Sequence, residues 1–117
     1  MSQFNIGSKA FTAGEAMEAY RRVKLSTGSG TQVEYADAGD AFIGFTAAAV
    51  NLGEMVSVIL KNTGMTFKVT ANGVIAVGGS FYGALDGKVS ATVSGSIQGR
   101  VLEAAAVDGE IVEAILL

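Results

Sequence analysis

The 117-residue chain has no histidine, no cysteine and no proline, and each absence removes a class of explanation. Without histidine or cysteine it lacks the commonest general base, the commonest zinc ligands and the strongest side-chain nucleophile, which ends most hydrolase designs. The missing cysteine also rules out a disulfide framework and leaves the redox compartment open. Without proline there is no cis-proline device and no stiff proline-rich linker. Charge is scarce too: charged residues make up 16% and the net charge is −3, where a quarter charged is usual. Of the eight lysines and arginines only Arg21-Arg22 with Lys24 forms even a short basic cluster, so no nucleic-acid partner is expected.

No run suits a membrane either. The most hydrophobic window, residues 41–60, has the length of a span but carries Asn51, Gly53, Glu54 and Ser57, and a glutamate at the bilayer centre is costly. The opening Met1-Ser2-Gln3-Phe4-Asn5-Ile6 has neither a basic nor an apolar signal region, so export is not expected. What the chain does have is apolar residues: half of it, with a mean hydropathy of +0.43. A single domain of this length buries about two-thirds of its unfolded surface, and the apolar surplus fits a subunit interface.

The closing stretch Ile97–Leu117 has an echo in residues 43–60. Ala47-Ala48-Ala49-Val50, then Gly53-Glu54 and Met55 to Leu60, parallels Ala104 to Val107, then Gly109-Glu110 and Ile111 to Leu116, with one extra residue separating the copies. In each copy an alanine-rich strand enters a turn at Gly-Glu and leaves as a strand. Elsewhere two-residue alternation predicts strands at 20–25, 31–36, 41–46, 54–61, 65–71, 74–77, 80–82 and 89–94. Val56, Val58 and Leu60 share a buried face, and Ser26–Gly30 joins two strands as a hairpin loop. Asn72-Gly73 has the chemistry of a type I′ hairpin turn between Val69 and Val74. Ala13–Ala19 is one helical turn or a bend. About ten short strands with turn signals every 8–12 residues make the all-β signature. The expected fold is a small β-barrel or sandwich over residues 15–117, with at most one short helix and an extended N-terminal arm over residues 1–14. Phe4 and Phe11 in that arm order against something, either the domain's own core or a partner.

Each candidate chemical motif has a simpler reading. Asp37 and Asp40 flank Ala38-Gly39 as a surface turn. Gly83-Ala84-Leu85-Asp86-Gly87-Lys88-Val89 sets its first glycine one residue too close for a phosphate loop, and Val89 stands where serine or threonine should hold magnesium. Thr27-Gly28-Ser29-Gly30-Thr31 lacks the third glycine of a dinucleotide fingerprint. Glu15-Ala16-Met17-Glu18 has glutamate where a biotin carrier needs lysine. Oxygen ligands for a calcium loop are absent. Met17, Met55 and Met65 read as core fillers. No catalytic, metal or cofactor site is expected.

The pattern Gly53-Glu54-x-Val56-x-Val58, Gly87-Lys88-Val89, Gly99-Arg100-Val101-Leu102-Glu103-Ala104-Ala105 and Asp108-Gly109-Glu110-Ile111-Val112 resembles the capsid decoration, or cement, proteins of tailed bacteriophages. Ala13-Gly14-Glu15 followed by Val23-Lys24-Leu25, and Ile43-Gly44, fit the same pattern, so the likeness covers nearly the whole chain. Gln98 between Ile97 and Gly99, and Val101 where alanine is commoner, depart from it. The resemblance implies a non-enzymatic protein on the outer surface of the virion head, made in the host cytoplasm. It would clamp major capsid protein subunits as a homotrimer, with Phe4, Asn5, Ile6 and Phe11 of the arm as capsid contacts. The rival readings are a phage tail or fibre subunit and a carbohydrate-binding β-domain displayed on a virion. The latter would offer Tyr20, Tyr35, Phe81 or Tyr82 as stacking platforms, with Phe81 and Tyr82 on opposite faces of their strand.

Overall fold

Valine and phenylalanine alternating with small polar residues favour short half-buried strands, and ten of them build the molecule. A computed structural model describes residues 7–117. The first five strands are β1 (Ser8–Ala13), β2 (Arg22–Leu25), β3 (Gln32–Tyr35), β4 (Gly44–Thr46) and β5 (Met55–Leu60). They close into a barrel in the order β1-β3-β2-β4-β5. The remainder are β6 (Phe67–Thr70), β7 (Ser80–Gly83), β8 (Val89–Ser90), β9 (Gly99–Val101) and β10 (Ile111–Leu116), forming a sheet in the order β6-β10-β9-β7-β8. Among the described residues the only helical segments are the single 3-10 turns Lys61–Thr63 and Leu85–Gly87. The chain is therefore all-β, as its alternation predicts.

The second unit repeats the first strand for strand. The pairing of Phe11 with Val56 recurs as Val69 with Val112. Val23 opposite Gly44 recurs as Phe81 opposite Gly99, and Gly44 opposite Leu60 as Gly99 opposite Leu116. The parallel contact of Ala13 with Val33 recurs as a lone bridge from Ala71 to Val89. Because β8 meets β6 only there, the second unit is a half-barrel. Where Thr31 C=O accepts the Thr12 amide in the first unit, Tyr20 C=O accepts the Thr70 amide at 3.2 Å and its hydroxyl at 3.0 Å in the second. A residue of unit one thus fills the gap in unit two.

Gly44 and Gly99 hold corresponding close approaches: a Cβ on either would overlap a carbonyl oxygen of the facing strand, Ile59 or Ile115. The repeat seen in the sequence is real, but its register differs. Val50 bridges Met17 and Ala105 bridges Ile75, so Val50 corresponds to Ala105 rather than to Val107, and the extra residue lies in the second copy's turn. Asn51 and Ala106 correspond too, each donating its amide to the glutamate of its turn, Glu54 or Glu110.

Each unit has its own core. Phe11, Ala13, Met17, Val23, Val33, Val56 and Val58 fill the barrel. Phe67, Val69, Ile75, Phe81, Val89, Val101 and Val112 fill the half-barrel, together with Ala36, Phe42 and Phe45 from the first unit. The rings of Phe42, Phe45 and Phe67 stack in series at 5.3 and 5.2 Å, a geometry that adds about 0.5–1.5 kcal/mol per pair beyond area burial. The units are thereby sealed to each other.

Several local expectations change. Of the arm expected over residues 1–14, residues 1–6 lie outside the described residues, and Ser8 to Thr12 pair along β5 from Ile59 to Met55. Asn72-Gly73 does not close a hairpin: Val74 leads into the Ile75–Ala105 bridge instead of pairing back on Val69. The strand expected over 89–94 stops at Ser90, whose hydroxyl accepts the Thr92 amide. Met17 is a core residue, but Met55 and Met65 are exposed.

Candidate interaction surfaces

At the junction of the two units sits Arg22, fully buried. Alternation along β2 turns its side chain away from the barrel interior, and that outward side is covered by the second unit. Its guanidinium donates to the carbonyls of Ala84 at 2.7 Å, Ala36 at 2.9 Å and Lys88 at 3.0 Å, and lies 5.6 Å from the Phe42 ring centre. Gly83 leaves the room it needs, since a Cβ there would come within 2.8 Å of the guanidinium. Burial lowers the Arg22 pKa to about 10, partly opposed by the charges of Asp40 and Asp37, so the group stays cationic at neutral pH. It is a lock between the units.

The Asp37–Asp40 turn serves that lock. Asp40 accepts from Lys24 Nζ at 2.9 Å and from the Asp37 amide at 2.9 Å, and these bonds hold its carboxyl below the usual aspartate range. Asp37 accepts the Asp86 amide at 3.0 Å, and Arg21 donates to the Asp86 carbonyl at 3.0 Å. The segment 83–89, whose spacing does not fit a phosphate loop, is therefore the partner of Arg22 and of the Asp37–Asp40 turn. No group of three or more histidine, cysteine, aspartate or glutamate side chains among the described residues is placed to hold a metal.

Of the arm residues expected to touch a capsid, Phe4, Asn5 and Ile6 lie outside the described residues. Phe11 is 5% exposed, in the barrel core. The expected aromatic platforms are mostly engaged. Phe81 is buried inside the half-barrel, while Tyr82, next to it, points outward and is half-buried. Tyr20 carries the Lys68 ammonium 5.7 Å from its ring. Tyr35 accepts the Glu18 amide at 2.7 Å, and burial raises its pKa.

Clefts open beside these elements. One of about 470 Å3 runs between the units, lined by Asp40, Phe42, Lys61, Ile97, Gln98 and Leu117 among others; Lys61 Nζ sits 4.8 Å over the Phe42 ring there. Another, of about 270 Å3, lies at the end of the first unit, between Glu18, Tyr35, Asn51 and Glu54.

The most telling surface is the end of the second unit. There residues 74–78 run antiparallel to 102–106, held by the two hydrogen bonds that Ile75 and Ala105 exchange, at 3.0 and 2.9 Å. Ile75 and Ala105 point inward. The alternate row, Val74 opposite Ala106 and Ala76 opposite Ala104, continues to Leu102, and all five residues are exposed. Val77 and Val107 are exposed at its margins, by 68% and 61%. The charged groups around this row hold partners: Glu103 accepts the Glu113 amide, Glu110 the amide of Ala106 in the row itself and Asp108 the Lys88 ammonium, while Arg100 donates to the Gly78 carbonyl. The corresponding row of the first unit holds Glu18 in place of Ala76, Asn51 in place of Ala106 and Ala47 in place of Leu102. Sequence patterning missed this face because its residues fell in predicted strands and a turn, where apolar side chains are assigned to the core.

No family model matches the chain, and no curated protein matches it. In fold it is similar to a solved structure described as the head fiber gp8.5 N base in bacteriophage phi29, with a TM-score of 0.80 and 21% sequence identity, over 94% of this chain and 92% of that one. At that identity the likeness is one of fold.

Proposed function

We propose that the protein is a non-enzymatic structural component of a phage head, bound to the outside of the shell, where as a homotrimer it stabilises the major capsid lattice. One observation carries the reading: nearly the whole chain shares its fold with nearly the whole of a phage head-fibre base. The decoration-protein pattern along the sequence points to the same place in the virion. The lack of histidine and cysteine and the engagement of the Asp37–Asp40 carboxylates in turn hydrogen bonds fit a protein that binds rather than catalyses.

A second reading follows from the same neighbour. As the base of a fibre, the domain would attach to the head and carry a projecting piece. Either way, Phe4, Asn5 and Ile6 remain the arm's proposed shell contacts, while the Phe11 side chain belongs to the domain's own core. A truncation that tests the arm must therefore stop at residue 6, because removing Ser8–Phe11 would strip the strand that closes the barrel against β5. Calorimetry of undecorated heads with and without added protein tests stabilisation. The shell's disruption temperature rises in proportion to occupancy under this reading, and an unchanged temperature at full occupancy would leave an attached fibre base in its place.

A further inference from the structure

We propose that the exposed row Val74, Ala76, Leu102, Ala104 and Ala106 is the contact between copies of this chain. The inference rests on the reading that the protein works as an oligomer and assigns the face by which it assembles.

Three observations lead there. The row and its margins bring together exposed large apolar side chains, Val74, Val77, Leu102 and Val107, with the exposed Ala76, Ala104 and Ala106 between them. Apolar residues clustered in this way, unlike ones scattered singly over a surface, mark an interaction site. The side chains of the row are also all apolar, and the charged groups around it already hold partners: Glu103 with the Glu113 amide, Asp108 with Lys88, Glu110 with the Ala106 amide and Arg100 with the Gly78 carbonyl. Finally, the fold does not impose the apolar covering. The first unit builds the same pair of segments, bridged at Met17 and Val50, and covers them with Glu18 and Asn51. The same backbone thus wears a water-tolerant face at one end and a water-averse face at the other.

A second copy suits this face better than a charged surface does. Small side chains at Ala76, Ala104 and Ala106 let the backbone of a second copy approach closely, and no side chain of the row carries a polar group to be desolvated. Contacts between copies are also the more apolar class of interface.

The test uses the full chain in solution without heads, so its result is separate from that of any head-binding experiment. Ala76→Glu and Ala106→Asn copy the residues of the first unit onto the second, where that unit shows they are compatible with the fold. Val93→Glu, at another exposed valine, is the control. Sedimentation equilibrium should show the parent chain and Val93→Glu associating, with the association constant of the double variant at least tenfold weaker and its thermal transition at low concentration unchanged. A parent chain that stays monomeric at 100 μM, on the order of a millionfold above tight-binding constants, would overturn the proposal. So would a folded double variant that associates as strongly as the parent.

Discussion

Replacing Arg22 with methionine tests whether the two units are locked by one buried cation. Besides a long bond to the Asp37 carbonyl at 3.4 Å, which also accepts the Asp40 amide, the guanidinium serves three carbonyls at close range, and these do not depend on it equally. The Ala36 carbonyl also accepts the Gly87 amide at 3.0 Å, and the Lys88 carbonyl the Ala84 amide at 2.9 Å, so both keep a partner in Arg22→Met. The Ala84 carbonyl, bonded at 2.7 Å, loses the donor it has. An unsatisfied buried acceptor costs about 1–3 kcal/mol, and losing charge-assisted bonds to two further carbonyls adds to that. Methionine recovers part of the difference by filling the volume without the desolvation that burying a cation entails. The net expectation is a loss of about 2–4 kcal/mol, or roughly 8–16 °C in Tm for a chain of this size. Arg22→Lys, whose single ammonium reaches one carbonyl rather than three, should fall between methionine and wild type. Urea and thermal unfolding followed by circular dichroism read both variants. If Arg22→Met unfolds within 1 kcal/mol of the parent, the lock is not where the stability lies.

Two further expectations follow from the same geometry. Gly44→Ala and Gly99→Ala should each cost more than about 3 kcal/mol, since the new methyl meets a facing backbone carbonyl that cannot move without breaking the ladder. Gly30→Ala, which faces open space without a left-handed backbone, should stay within about 1 kcal/mol of the parent; equal effects at the three sites in chemical denaturation would refute the close-approach argument. For acid stability, the Asp40 pKa is lowered in the folded state, so its contribution is present above the ordinary aspartate pKa and is lost as pH falls through the lower folded value. Asp40→Asn should therefore flatten the dependence of Tm on pH below about 4, and an unchanged slope would show that the Lys24–Asp40 pair is incidental.

Where sequence and structure part, non-local pairing has overridden a local signal. Alternation located the strands because one face of nearly every strand is buried in a core, as Val56 and Val58 against Met55 and Ser57 show. It says less about Arg22: alternation along β2 places the residue outward, but cannot say that a second unit covers that outward face. Asn72-Gly73 has hairpin chemistry, yet β6 finds β10 as its partner, some forty residues on. The run Lys9-Ala10-Phe11-Thr12-Ala13 looked like an arm because its small residues carry little hydrophobic signal, and only its ladder with β5 makes it a strand. The repeat was legible in Gly-Glu and in the Val-x-x-Ile-Leu spacing of the last strands. Its register was not, because a run of alanines aligns equally well at several offsets, and the Met17–Val50 and Ile75–Ala105 bridges decide among them. The apolar face at 74–78 and 102–106 was invisible for a related reason: an exposed valine and a buried one are the same letter.

Attachment to the outside of a phage head, the proposed role, is read out by co-sedimentation of the purified chain with undecorated heads. The protein should pellet with heads to a saturable copy number fixed by the lattice, and heads already carrying their full complement should take up none. Protein left wholly in the supernatant, at concentrations where it is folded and self-associated, would contradict that role.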